Sequence, residues 1–247
     1  MNRRLTGLGI AIALALATVP ATMAGAGTCT APLPKGSEPV TLDPADFVAR
    51  VDNPYFPMAP GTRWVYREFD FESSLRVTVT VLERTRKIAG IDATVVHDVV
   101  SERGEVVENT FDWYAQDVCG NLWYLGENTK EYENGKVVST AGSWEHGVDG
   151  AMAGVIMPAE PQVGLTYRQE YYAGEAEDAA TIMSLDEQAQ PPFGHFRNVI
   201  LTGDFTPLHP KVLEYKLYAR GVGPVIALGI SGGSDREELL RFRAPGA

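Results

Sequence analysis

The chain has 247 residues, 45% of them hydrophobic, and its 32 acidic side chains outnumber 21 basic ones to give a formal net charge of −11. That length suits one β domain or two small ones. The acidic balance speaks against nucleic acid and anionic membrane surfaces as partners.

The N-terminus reads "MNRR", then an apolar run from Leu8 to Val19, then "ATMAGAG", in which Ala24, Gly25 and Ala26 form a small-residue cleavage site. This pattern predicts a signal peptide over 1–26, cleaved after Ala24 or Ala26, and hence a secreted or periplasmic protein. The apolar run is shorter than the roughly 20 residues of a membrane helix, and no later segment reaches that length. Cleavage removes Arg3 and Arg4, leaving 19 basic against 32 acidic residues, a net charge of −13. In an exported chain Cys29 and Cys119 are expected to form a disulfide. A lipidated Cys29 is the weaker reading, because Thr28 and Ala26 depart from lipobox preferences and Cys119 would be left over.

Residues 27–45 are rich in Pro, Gly, Ser and Thr without periodicity and read as an extended leader. A short helical turn fits "DPADFVAR", with Asp43 as cap and Pro44 at the first helical position. Residues 46–247 read as a single β-rich domain. "TRWVYREF" sets Trp64, Tyr66 and Glu68 against Val65, Arg67 and Phe69, and "SLRVTVTVLERT" sets its valines against Arg and Thr, so both are half-buried strands. "ATVVHDVV" follows the turn "AGID", and "RGEV" turns into a hairpin made of "VVENTFDWYAQD" and "NLWYLGE". "VVSTAG" follows "ENGK" as one more short strand.

Residues 142–164, "GSWEHGVDGAMAGVIMPAEPQVG", lack either period and read as a long loop that covers the sheet. Beyond it, "TYRQEYYAGEAEDAATIMSL" reads as strand, hairpin, strand. "PPFGHFRNVILTGDFTPL", "VLEYKLYAR" and "GPVIALGI" are further strands, and "SDREELLRFR" fits a closing strand or a short helix. The fold class is therefore all-β with little helix, an antiparallel meander forming a curved sheet or open half-barrel.

The densest chemistry lies at 110–127, "TFDWYAQDVCGNLWYLGE". With Cys119 and Gly120 as the turn, Gln116 faces Trp123, Tyr114 faces Leu125 and Asp112 faces Glu127. Period 2 then places Phe111, Trp113, Ala115, Leu122 and Tyr124 on a core face, and Asp112, Tyr114, Gln116, Trp123, Leu125 and Glu127 on the other. Two opposed carboxylates repel unless they share a proton, bind a cation or meet an Arg. Tyr114, Gln116, Trp123 and Trp144 are the candidate ligand-binding residues, with Trp113 and Tyr124 as further aromatic walls. Asp112, Glu127, Glu145 and His146 are candidate acids and bases, whereas His97 reads as structural. No metal is expected; Asp117 and Asn121 offer oxygens beside the turn but lack an EF-hand spacing. No hydrolase elbow, zinc motif, phosphate loop or cofactor fingerprint occurs.

At "NPYFPMAPGTRWVYRE", the hairpin, "GSWEHGVDGAMAGVIMPA" and "YARGVGPV", from Asn53 to Val225, the chain resembles a widespread family of secreted bacterial proteins and lipoproteins with no established activity. The resemblance implies export and a β-rich domain and transfers no catalytic residue. A looser similarity is to the open half-barrels that carry lipids between bacterial membranes. Three functions follow in order of expectation: a binding module for an amphipathic or glycan-like small molecule, a cofactor-independent hydrolase or lyase, and a structural envelope protein.

Overall fold

The structure, a computed structural model, describes residues 29, 32–70 and 73–246. The expected signal peptide lies outside the described residues. The leader from 32 to 43 carries no strand, and the expected turn is a 3-10 turn at Pro44–Asp46, where the Asp43 side chain accepts from the Ala45 amide at 2.9 Å.

Every other described element is a strand: β1 (Phe47–Val48), β2 (Arg63–Phe69), β3 (Ser74–Ile88), β4 (Ile91–Glu102), β5 (Glu105–Asp117), β6 (Leu122–Asn128), β7 (Glu131–Glu133), β8 (Lys136–Ser139), β9 (Trp144–Glu145), β10 (Met152–Met157), β11 (Thr166–Arg168), β12 (Glu170–Tyr171), β13 (Ala179–Ala189), β14 (Phe196–Phe205), β15 (Leu213–Ala219), β16 (Gly223–Ser231) and β17 (Arg236–Arg243). All pairings are antiparallel. They run β2-β3-β4-β5-β6, cross to β10, and continue through β11 and β12 to β13 and onward to β17, which pairs back with β2. The curved antiparallel sheet thus winds into a nearly closed barrel, and "SDREELLRFR" is its closing strand. Such closure leaves few unpaired edges to attract other chains.

One expectation is corrected. Residues 142–164 do not form a loop over the sheet: β10 inserts into the wall beside β6, with Val155 opposite Trp123 and Gly154 opposite Tyr124. Ala151, Ala153, Val155 and Met157 alternate as buried residues, a period of 2 that the flanking glycines obscured. Gly154 permits a close crossing, since a Cβ there would lie 2.4 Å from the Arg168 carbonyl oxygen.

The leader is strapped to the barrel at two points. Arg168, fully buried, donates from its guanidinium to the carbonyls of Gly36, Glu38 and Ala153. Cys29 and Cys119 form the expected disulfide, at a sequence separation of 90. Closing a loop of that length contributes about 4–5 kcal/mol in a chain-entropy account, and about 2–5 kcal/mol is usually lost when a native bridge is removed. Purified protein is expected to show no free thiol, and the Cys29→Ser/Cys119→Ser double variant to lose about 2–5 kcal/mol in a denaturant titration.

Candidate functional site

Residues of β15 to β17 and β2 to β5, which form one continuous arc of the barrel, share a cavity of about 240 Å3 with Ile156 of β10. Five aromatic rings line it: Phe56, Trp64, Tyr66, Tyr114 and Tyr218. Backbone carbonyls fix two of them, with Trp64 Nε1 donating to Val222 at 2.7 Å and the Tyr66 hydroxyl to Pro224 at 3.0 Å. Phe56 comes from the "NPYFP" loop and meets Trp64, Tyr218 and Tyr114 at centroid distances of 6.0, 6.1 and 6.3 Å. That loop is anchored by Asn53, which donates to the carbonyls of Gly120 and Pro158, while Gln116 Oε1 accepts the Asp52 and Asn53 amides.

The charged residues of the wall are Asp98, Asp112, Glu237 and Lys216. Lys216 Nζ is 3.0 Å from Glu214 and 3.2 Å from Asp204. Burial works against its ammonium, but these two carboxylates outweigh burial and hold its pKa well above the ordinary value. Asp98 has no such partner: its Oδ1 is buried without a hydrogen bond. Burial, then the charges of Asp112 and Glu237, push its pKa well up. The exposure Asp98 retains is consistent with the cavity it lines. Glu237 is raised to about 8, chiefly by burial and then by Glu68.

The hairpin carboxylates Asp112 and Glu127 do face each other. The Tyr124 hydroxyl stands between them, 2.7 Å from Asp112 and 3.1 Å from Glu127. Burial raises Asp112 to about 7, and burial with the charge of Asp112 raises Glu127 to about 9. The Tyr124 hydroxyl is placed to donate to either carboxyl group, and the raised pKa of Glu127 favours its protonated form near neutral pH. The Tyr124 hydroxyl, with a proton retained on the pair, offsets the repulsion between the two carboxyl groups.

The register elsewhere in the hairpin differs from expectation. Near the turn Gln116 pairs with Leu122, Ala115 with Trp123 and Tyr114 with Tyr124; then the pairing shifts and Trp113 meets Gly126. A bulge at Leu125 absorbs the extra residue. The turn holds three residues, 118–120, rather than two, which exchanges two aromatics between faces, and the bulge restores the expected register beyond it. Tyr124 joins the carboxylates and stacks on Tyr114 at 4.8 Å. Trp123 turns to the face of Trp113, where its Nε1 donates to Asp117 at 2.8 Å. Trp113 carries the Arg86 guanidinium 4.1 Å above its ring.

Of the expected ligand residues only Tyr114 lines the cavity. The polar atoms of Gln116 are consumed by the "NPYFP" loop. Trp144 is buried edge-on against Tyr124 and donates to Glu170 at 2.6 Å. The four expected acids and bases are not brought together: Glu145 pairs with Arg86, and His146 Nδ1 accepts the Ala153 amide at 3.1 Å. Burial, helped by the Arg168 charge, lowers the His146 pKa. The oxygens of Asp117 accept from Cys119, Asn121 and Trp123, and Asn121 Oδ1 accepts from Ala159, so turn chemistry uses them all. His97 stacks on Phe111 at 4.4 Å and bonds Asn109, a structural arrangement.

Sequence reasoning missed Phe56, Asp98, Lys216, Tyr218 and Glu237. For Asp98 a signal existed: it shares a face with Val96 and Val100, an acid in an apolar stripe. A larger crevice of about 420 Å3 lies outside the barrel between the leader and the hairpin, lined by Leu33, Leu42, Cys29 and Trp123. Its main acid on the hairpin, Asp117, is already saturated, so the interior cavity is the stronger candidate.

A nearly closed antiparallel barrel around a small aromatic and acidic cavity defines the class of protein. The chain matches no protein-family profile and no curated protein. A solved structure of a candidate lipoprotein from Parabacteroides distasonis aligns with a TM-score of 0.42 at 13% identity, over 76% of this chain and 98% of that one. A likeness so loose carries no argument about function.

Proposed function

We propose that the protein is an exported binding module that holds a small amphipathic or glycan-like molecule inside the barrel. The observation that carries this reading is the cavity of about 240 Å3 walled by five rings and three carboxylates. Ligand sites are concave and largely apolar, with a few polar groups that fix orientation. The volume lies below the roughly 300–1,000 Å3 of drug-sized sites, so the occupant is about one sugar ring or a head group of similar size. The disulfide supports an oxidising compartment outside the cytoplasm.

Native mass spectrometry of protein extracted without denaturant tests the reading, together with fluorescence during titration of monosaccharides and short amphiphiles. The expected result is a co-purifying small molecule, or a spectral change that the cavity-filling variant Ile156→Trp abolishes while the far-ultraviolet spectrum is retained. Silence in both assays would count against an internal ligand.

A further inference from the structure

We infer that the cavity takes a small organic cation, an amine or quaternary ammonium, with its charge against Asp98; this rests on the reading above that the cavity is the ligand site. Charge is the first ground. Asp98, Asp112 and Glu237 line the cavity against one cation, Lys216, and that cation is already answered by Asp204 and Glu214 from outside the lining set. An anionic ligand would find no unanswered cation in the lining.

The second ground is the orphaned oxygen. A buried polar atom without a partner costs about 1–3 kcal/mol, more if charged, and Asp98, a residue of the cavity wall, carries one such oxygen, Oδ1. The third ground is the rings. Aromatic faces attract cations by about 0.5–2 kcal/mol each, most strongly where water is excluded, and here five surround the acids. A bare metal ion fits less well, because among the described residues no group of three His, Cys, Asp or Glu side chains is placed to hold one.

The groups facing Asp98 come from several strands. They are Asp112, Glu108 and Tyr114 of β5, Tyr66 and Glu68 of β2, Glu237 of β17, and Lys216 and Tyr218 of β15. Crowding and burial raise these acids and favour their protonated forms while the cavity is empty. A bound cation takes the place of a proton, so binding releases protons and tightens as pH rises through the raised carboxylate range.

Calorimetry on the mature protein tests this with three probes: choline, dimethylbutanol as its uncharged carbon isostere, and glucose. Choline is expected to bind at least about ten-fold more tightly than dimethylbutanol and to tighten about ten-fold or more between about pH 6 and pH 8.5, with buffer-dependent heats that report proton release. Asp98→Asn, or Glu237→Gln should that variant fold poorly, is expected to erase the preference for choline. Equal binding of dimethylbutanol, or binding of glucose alone, would overturn the cationic ligand and leave the binding module standing. If none of the three binds and native mass spectrometry finds no ligand, both readings fail.

Discussion

Raising the pH from about 5.5 to about 9 is expected to lower the melting temperature by about 10 °C or more, at about 2–4 °C for each kcal/mol lost from a chain of this size. Burial raises Asp112 to about 7, Glu170 and Glu237 to about 8 and Glu127 to about 9. In the unfolded chain these groups titrate near 4. Between those limits the folded state binds more protons than the unfolded one, so stability is full below about pH 4 and falls as pH rises to about 9. One pKa unit corresponds to about 1.4 kcal/mol, and the loss accumulates over several groups. Glu127→Gln keeps the hydrogen bond to Tyr124 and removes the titration. Its stability gain should grow with pH, from near nothing at about pH 4.5 to at least about 2 kcal/mol at pH 9. A flat melting profile, or a variant destabilised equally at every pH, would contradict a proton retained on this pair.

Gly126→Ala is expected to cost at least about 3 kcal/mol, the scale of backbone strain combined with overpacking. Gly126 has φ +132, and a Cβ there would lie 2.3 Å from the Trp144 carbonyl oxygen and 2.9 Å from Glu145 Cα. Both neighbours are backbone, so relief requires β9 to move away from β6. That movement unseats Trp144 from Tyr124 and Tyr124 from the carboxylates. Gly135→Ala is the control: its φ is +73, but a Cβ there meets nothing within 4 Å, and its cost should stay near 1 kcal/mol. Denaturant unfolding separates the two, and near-ultraviolet dichroism should lose aromatic signal only for Gly126→Ala. Equal costs would mean that the close approach of β9 imposes no constraint.

Most of the strands were readable because each pairs with its neighbour in sequence and carries its own alternation, as "TRWVYREF" and "SLRVTVTVLERT" do. What escaped depended on partners distant in sequence. β10 owes its place to β6 and β12, and its glycines, which signal a loop locally, serve a close crossing at Arg168. The hairpin turn holds three residues rather than two, so a two-residue turn assigned Trp123 and Tyr124 to the wrong faces, up to the bulge at Leu125. The opposition of Asp112 and Glu127 was nevertheless legible, since the turn and the bulge together restore that register. The cavity was hidden for another reason: its acids and rings come one or two at a time from five strands and one loop.

The pairing of β17 with β2 places Arg243 opposite Arg63, so the barrel closes through strands far apart in sequence. Contacts of such long sequence separation form slowly, because the chain entropy is surrendered before the contact rewards it. Until β17 is in place, β2 and β16 each present an open edge, and the acidic interior stands in contact with solvent. Closure of the barrel is therefore expected late in folding, when β17 pairs with β2 and the cavity carboxylates are taken from solvent.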